Sequence, residues 1–164
     1  MELPKRKSNR LSNYSYSQSG TYFLTICTVE KRPILCRIHQ GTSFIPPRIQ
    51  LSRYGIIAER QILSLPHFYS DVQVNKYVIM PNHIHMLLTI HTESTASDVP
   101  ANERIPFLIS SFKRFTNKAA EANLWQRSYY DHVIRDESDY LTRWNYIENN
   151  PAKWILDRFY VPDE

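Results

Sequence analysis

Two adjacent runs carry the sharpest pattern in the chain: Val72–Met80 (VQVNKYVIM) and His83–Ile90 (HIHMLLTI) are rich in β-branched and apolar residues and are separated only by Pro81-Asn82. They predict two antiparallel strands joined by a tight turn. In the second run, alternation puts Ile84, Met86, Leu88 and Ile90 on one wholly apolar side, the natural core side, and His83 and His85 on the other. Something else in the chain therefore has to cover the histidine side. Thr21–Val29 (TYFLTICTV) predicts an earlier strand, ended by the charged turn Glu30-Lys31-Arg32-Pro33, and Tyr129–Ile134 a later one. Ile34–Ile38 and Arg48–Leu51 are expected to pair as a short hairpin around the Gly41–Pro47 loop.

Helical periods fill the intervals. Ser52 is placed to cap a helix over Arg53–Leu65, with Ile56, Ile57, Arg60 and Leu63 as its stripe and Pro66 just beyond its end. Ile105–Ala122 spaces Ile105, Leu108, Ile109, Phe112, Phe115 and Ala119 along one helical face, with Lys113, Arg114 and Lys118 on the polar side. Asp136–Asn150 predicts a helix with Asp136 as N-cap and Asp139 three residues on, ended by Pro151, with Tyr140, Leu141, Trp144 and Ile147 as its core stripe. The polar stretch Thr92–Arg104 reads as a surface loop, and Met1–Gly20, with Lys5, Arg6, Lys7 and Arg10, as a flexible basic arm ahead of a single domain over residues 21–164. The order β, α, β, β, α, β, α predicts an α+β fold, a ferredoxin-like antiparallel sheet with helices packed on it.

Composition narrows the function. The chain's 164 residues suit one domain, and Gly20, Gly41 and Gly55 are too far apart for a phosphate-cradling loop of the Walker or Rossmann type. Cys27 and Cys36 are too few for a disulfide scaffold or a cysteine zinc site and are expected to be reduced core residues. No apolar run approaches the roughly 20 residues that span a bilayer, and the basic N-terminus leads into no apolar segment, so a cytoplasmic protein without a membrane partner is expected. A net charge of +4 with 13% aromatic residues suits a polyanionic partner whose bases stack on rings.

Two clusters carry candidate chemistry. His83 and His85 project to the same side of a strand, about 6–7 Å apart by twice the rise per residue, close enough to converge on one divalent ion. On the last helix Tyr146 lies about 150° from the centre of the predicted core stripe, on a face shared with Asp139, Arg143 and Asn150. A tyrosine on the polar side of a helix, beside an arginine and one turn before an amide, is placed as a reagent would be.

Together these residues resemble the single-tyrosine HUH transposases, most closely the REP-associated tyrosine transposases and their insertion-sequence relatives. The resemblance is carried, in the family's order, by YVIMPNHIHMLL (Tyr77–Leu88), WQRSYYDHVIR (Trp125–Arg135) and DYLTRWNYIENNPAKW (Asp139–Trp154), and it spans roughly Thr21 to Trp154. It implies His83 and His85 as metal ligands, Asn150 as the third ligand with Asn149 and Glu148 as alternatives, and Tyr146 as the nucleophile. Two imidazoles, an amide oxygen and water suit Mg²⁺ or Mn²⁺. The implied reaction is cleavage and rejoining of single-stranded, hairpin-associated DNA through a 5′-phosphotyrosine link and a free 3′-OH, by a monomer or a homodimer. A tyrosine of ordinary pKa, about 10, is mostly protonated at neutral pH, and Arg143 and the ion would favour its phenolate. Lys113, Arg114, Lys118, Arg127 and Arg135 are the candidate phosphate contacts, and Trp125, Tyr129 and Tyr130 are either base-stacking or core residues. His132 is expected to serve structure or DNA contact and not the metal. Two other readings compete: a non-catalytic ferredoxin-like module that binds structured single-stranded nucleic acid, and a nicking replication initiator or relaxase.

Overall fold

The computed structural model describes residues 20–91 and 104–160. In chain order the elements are β1 (Gly20–Cys27), β2 (Cys36–His39), β3 (Arg48–Leu51), α1 (Arg53–Phe68), β4 (Val72–Met80), β5 (His83–Ile90), α2 (Arg104–Ala120), β6 (Tyr130–Val133) and α3 (Glu137–Lys153), with single 3-10 turns at Val29–Lys31 and Trp154–Leu156. The main sheet runs β4-β5-β1-β6 with every pairing antiparallel, and β2 and β3 form a separate hairpin. This is the expected ferredoxin-like arrangement. The basic arm and nearly all of the Thr92–Arg104 loop lie outside the described residues. No helix among the described residues is long and apolar enough to cross a membrane.

Alternation along β1 and β5 builds two cores. Tyr22, Leu24, Ile26, Ile84, Met86 and Leu88 turn to one face, where they meet Ala58 and Ile62 of α1 and Ile105, Leu108 and Phe112 of α2. Phe23, Val78, Met80 and Leu87 turn to the other, where Cys36 and Ile38 of the hairpin and Ile147 and Trp154 from the end of the chain cover them. The histidine side of β5 thus acquires its cover from α3 and the hairpin. A register shift between Val74 and Lys76 marks a β-bulge in β4, which sends Lys76 to the α3 side of the sheet, its ammonium 4.2 Å from the centre of the Trp144 ring.

Three helix faces depart from the sequence expectation. In α1 the buried residues are Gly55, Ala58, Ile62 and Leu65, whereas Ile56 and Leu63 are exposed, because small side chains allow close approach that the apolar pattern does not register. In α2 the buried line passes from Phe112 to Thr116 and Ala120, leaving Phe115 exposed; the Thr116 hydroxyl donates to the Phe112 carbonyl and accepts from the Trp125 indole, so its polarity is satisfied inside. In α3 the buried face is turned toward Arg143 and Asn150, with Leu141 exposed. The two prolines expected to stop α1 and α3, Pro66 and Pro151, instead lie inside them. Each falls in the last turn, where little helix remains to be lost by the missing N–H. Arg104, assigned from sequence to the loop, instead opens α2 and forms a buried two-pronged ion pair with Asp71.

The caps behave as the sequence suggests. Ser52 Oγ accepts from the Gly55 N–H, and Asp136 accepts from the Asp139 N–H at 2.8 Å. The Ser52 N–H in turn donates to the Leu35 carbonyl at 2.9 Å, and that same oxygen lies 2.1 Å from where a Cβ on Gly55 would sit. Helix propensity alone favours Gly→Ala by roughly 1 kcal/mol. Gly55→Ala is expected to reverse that sign and lower the urea midpoint, and a midpoint equal to or above that of the unaltered chain would contradict the close approach.

Candidate active site

His83 is the first residue of β5, directly after the Pro81-Asn82 turn, and His85 follows on the same face; their ring centres are 4.5 Å apart. Antiparallel register sets Cys27 opposite His83 and Thr25 opposite His85 on β1. The Asn82 Oδ1 lies 2.6 Å from His83 Nδ1 and can only accept, so His83 carries its proton on Nδ1 and has a lone pair at Nε2. His85 Nδ1 is 2.8 Å from the Thr25 hydroxyl. Its other nitrogen, Nε2, is buried and has no hydrogen-bond partner. Buried polar atoms are nearly always paired, so this nitrogen marks a place where a partner belongs.

Both rings are held neutral. Burial, aided by the Lys31 charge, lowers His83 to about 4 against the opposing pull of Asp157 and of the Asn150 side chain, whose oxygen favours the protonated ring. Burial, the neighbouring His83, Lys31 and Arg143 push His85 well below its ordinary value. Neutral imidazoles with lone pairs available are what a cation requires.

Helix α3 brings the remaining candidates to this face. The Tyr146 ring packs edge-on against His85 at 5.2 Å and against Phe23 at 5.9 Å between ring centres, yet the residue stays 43% exposed. It occupies the border of the helix's buried face, reachable from solvent. Asn150, one turn on, is buried, and its side chain acts on the His83 ring. The alternatives face elsewhere: Glu148 pairs with Lys76, and the Asn149 amide donates to the Asn145 carbonyl. Arg143 lies over the Phe23 ring at 5.1 Å and 3.7 Å from Asp139. Burial opposes ionisation of Asp139, but hydrogen bonds from His132 and the Arg135 N–H outweigh it and lower its pKa. His132 is thus bound to a carboxylate at 2.8 Å, in a structural role.

The expected phosphate contacts divide. Arg114, Lys118, Arg127 and Arg135 are exposed. Lys113 is not on a free polar face: its half-buried ammonium donates to the carbonyls of Gln126, Arg127 and Ser128, which occupies its three protons and ties down the segment leading to β6. Trp125 is a core residue, 3% exposed, while Tyr130 is open to solvent.

Sequence reasoning missed Thr25, Cys27, Lys31, Asn82 and Asp157 around the histidines. Asn82 was detectable as the neighbour of His83 in the turn; the others depend on the register of β1 against β5 and on the chain's return past α3. Among the described residues no group of three His, Cys, Asp or Glu side chains could hold a metal. The donors gathered here are two histidines and an amide.

The sequence profile described as IS200-like transposase matches residues 61–150. A Haemophilus influenzae protein described only as uncharacterized is 33% identical over 95% of this chain and 93% of its own length. The REP-associated tyrosine transposase of Escherichia coli is 25% identical over 85% of this chain and 72% of its own. Among solved structures, a REP-associated tyrosine transposase bound to a REP hairpin shares the fold with a TM-score of 0.61, at 21% identity, covering 87% of this chain and 74% of that one.

The depressed histidine values make a statement about stability. Between the ordinary value of 6.5 and about 4, the unfolded chain binds a proton at His83 that the folded chain refuses. Stability is therefore lost as pH falls below 6.5, the loss reaching about 3 kcal/mol for His83 near pH 4. In chelator-treated protein the urea midpoint is expected to drop across this window, and to drop less in His83→Gln. An equal drop in both would place the pH dependence elsewhere.

Proposed function

From the chain's membership of the IS200-like transposase family we propose that this transposase cleaves and rejoins single-stranded, hairpin-associated DNA, with Tyr146 as the nucleophile and a divalent ion held by His83, His85 and Asn150. The observation that carries the reading is the contact of an accessible tyrosine ring with a buried histidine whose Nε2 has no partner. A purely structural histidine so deeply buried would be expected to have both nitrogens engaged. The named relatives, a REP-associated tyrosine transposase and a solved one bound to a REP hairpin, support hairpin DNA as the partner.

The donor chemistry suits Mg²⁺ or Mn²⁺, which the Nε2 lone pairs of His83 and His85 and the Asn150 side-chain oxygen would hold. When bound, the ion supplies Lewis-acid polarisation of the scissile phosphate. The protein's own contribution is placement. Thr25 and Asn82 fix the two rings through their Nδ1 atoms, so that both Nε2 atoms are left for the ion. Tyr146 stands beside them on a helix anchored by Ile147 and Trp154, and its oxygen attacks phosphorus while the 3′ oxygen departs. The ester formed keeps the bond energy, so a second 3′-OH can displace the tyrosine and rejoin strands with no nucleoside triphosphate. Because Tyr146 meets the histidines within one chain, the reading favours a site complete in a single subunit. Arg143, held between Asp139 and Phe23, adds a cation on the same face. Arg114, Lys118, Arg127 and Arg135 would neutralise the DNA backbone, with Lys113 holding the Arg127 segment in place.

Incubation with labelled single-stranded hairpin DNA and Mn²⁺ is expected to give a covalent adduct on denaturing gels, absent in Tyr146→Phe and abolished by chelation. Undiminished labelling in Tyr146→Phe would move the nucleophile to another tyrosine such as Tyr130 or Tyr140, and tight binding without any adduct would favour the non-catalytic module. Removing one phosphate contact from a single strand lowers the slope of log K against log salt by about 0.7. That change is expected for Arg114→Ala and Lys118→Ala, whereas Lys113→Ala should lower thermal stability first.

A further inference from the structure

We propose that Lys31 is a further catalytic residue of this site, its ammonium neutralising the 3′ oxygen that leaves the scissile phosphate; the assignment rests on the phosphotyrosine reading above. The first ground is backbone strain. Glu30 and Lys31 are consecutive non-glycine residues with φ of 54° and 57°, in the left-handed region. Such residues cost on the order of 1–3 kcal/mol each and persist only where their surroundings impose them. Here the surroundings do. Thr28, fully buried, accepts from the Lys31 N–H at 3.1 Å, its own N–H donates to the Asn82 carbonyl at 3.0 Å, and its hydroxyl lies 2.8 Å from the Arg32 carbonyl and 3.0 Å from that of Asn82. The strained turn is therefore fastened to the residue whose side chain fixes His83.

The second ground is where the turn delivers its charge. The Lys31 ammonium is 2.7 Å from the Cys27 thiol, and Cys27 is the cross-strand partner of His83. A thiol is a weak acceptor, so a stronger one can displace it. The Lys31 charge bears on both histidine rings.

The third ground is direction. Along the strands the order is Phe23 with Tyr146, then His85, then His83, then Cys27 with Lys31. Tyrosine and ammonium approach the histidine pair from opposite ends. In displacement at phosphorus the attacking and leaving oxygens lie roughly in line, so a nucleophile at one end puts the leaving oxygen at the other. The bond formed is Tyr146 Oη–P and the bond broken is P–O3′. Its electron pair stays on the 3′ oxygen beside the ammonium, that oxygen takes a proton from water, and the tyrosyl proton goes to solvent.

Single-turnover adduct formation with Mn²⁺ separates this role from packing. The variants are Lys31→Met and Lys31→Gly, the second chosen because glycine accepts the left-handed backbone and keeps the turn folded. Two hairpin substrates are compared, one with the natural 3′ oxygen and one with sulfur in its place, a leaving group that needs no neutralisation. Losing one positioned donor to a developing charge typically slows a reaction about 100-fold or more. Both variants are expected to slow adduct formation about 100-fold on the oxygen substrate and to approach the unaltered chain on the sulfur substrate. Equal slowing on both substrates would reduce Lys31 to a packing residue, and an unchanged rate on oxygen would remove it from the site; either result overturns this assignment while Tyr146 chemistry stands. An unaltered chain that forms no Tyr146-dependent adduct overturns the proposed function, and this assignment with it.

Discussion

The register of β1 against β5 is the constraint on which the site depends. With Thr25 opposite His85 and Cys27 opposite His83, the two imidazoles fall on the side of the sheet covered by α3, and Ile84 between them falls in the core shared with α1 and α2. A slip of one residue would invert every side chain of β5, driving both histidines against the α1–α2 core and Ile84 and Met86 toward Tyr146. Burying those apolar residues is worth roughly 1.5–3 kcal/mol each, so the packing that stabilises the fold also holds the histidines in place.

Helix α3 answers two demands that compete. It covers apolar sheet surface with Ile147, continued by Trp154 in the turn that follows, and it holds a hydroxyl-bearing ring at the border of water. The Lys76–Glu148 pair also links α3 to β4, but Glu148 is largely exposed and an exposed ion pair contributes at most about 1 kcal/mol. Apolar burial thus anchors the helix. Turning its buried face toward Arg143 and Asn150 brings the amide to His83 and leaves Tyr146 half out of the protein.

Much of this was legible in the sequence where the signal is local. β4 and β5 begin and end where alternation and the Pro81-Asn82 turn place them, and the Ser52 and Asp136 caps are used. Helix faces were less legible. Gly55 and Ala58 make a contact surface by being small, and Thr116 is buried because two partners hide its hydroxyl, neither of which a count of apolar residues can detect. At the site, Tyr146, Asn150 and the histidines were marked by residue type and spacing within single elements. Thr25, Cys27 and Lys31 were not, because they come to the histidines only through strand pairing across some sixty residues of chain. Lys113 looked like surface charge because carbonyls from a distant segment leave no trace in its own neighbourhood.

The bulge in β4 works as a phase change. Before it, Val72 and Val74 belong to the α1–α2 side of the sheet; after it, Tyr77 and Ile79 do, and Lys76 crosses over to rest on Trp144. One supernumerary residue in an edge strand therefore decides which layer receives a positive charge. Were that residue taken into the hydrogen-bond ladder instead of left out of it, Lys76 would fall opposite Met86 on the α1–α2 side, away from the aromatic ring on α3, so the irregularity in this strand is tied to the composition of a helix that begins only at Glu137.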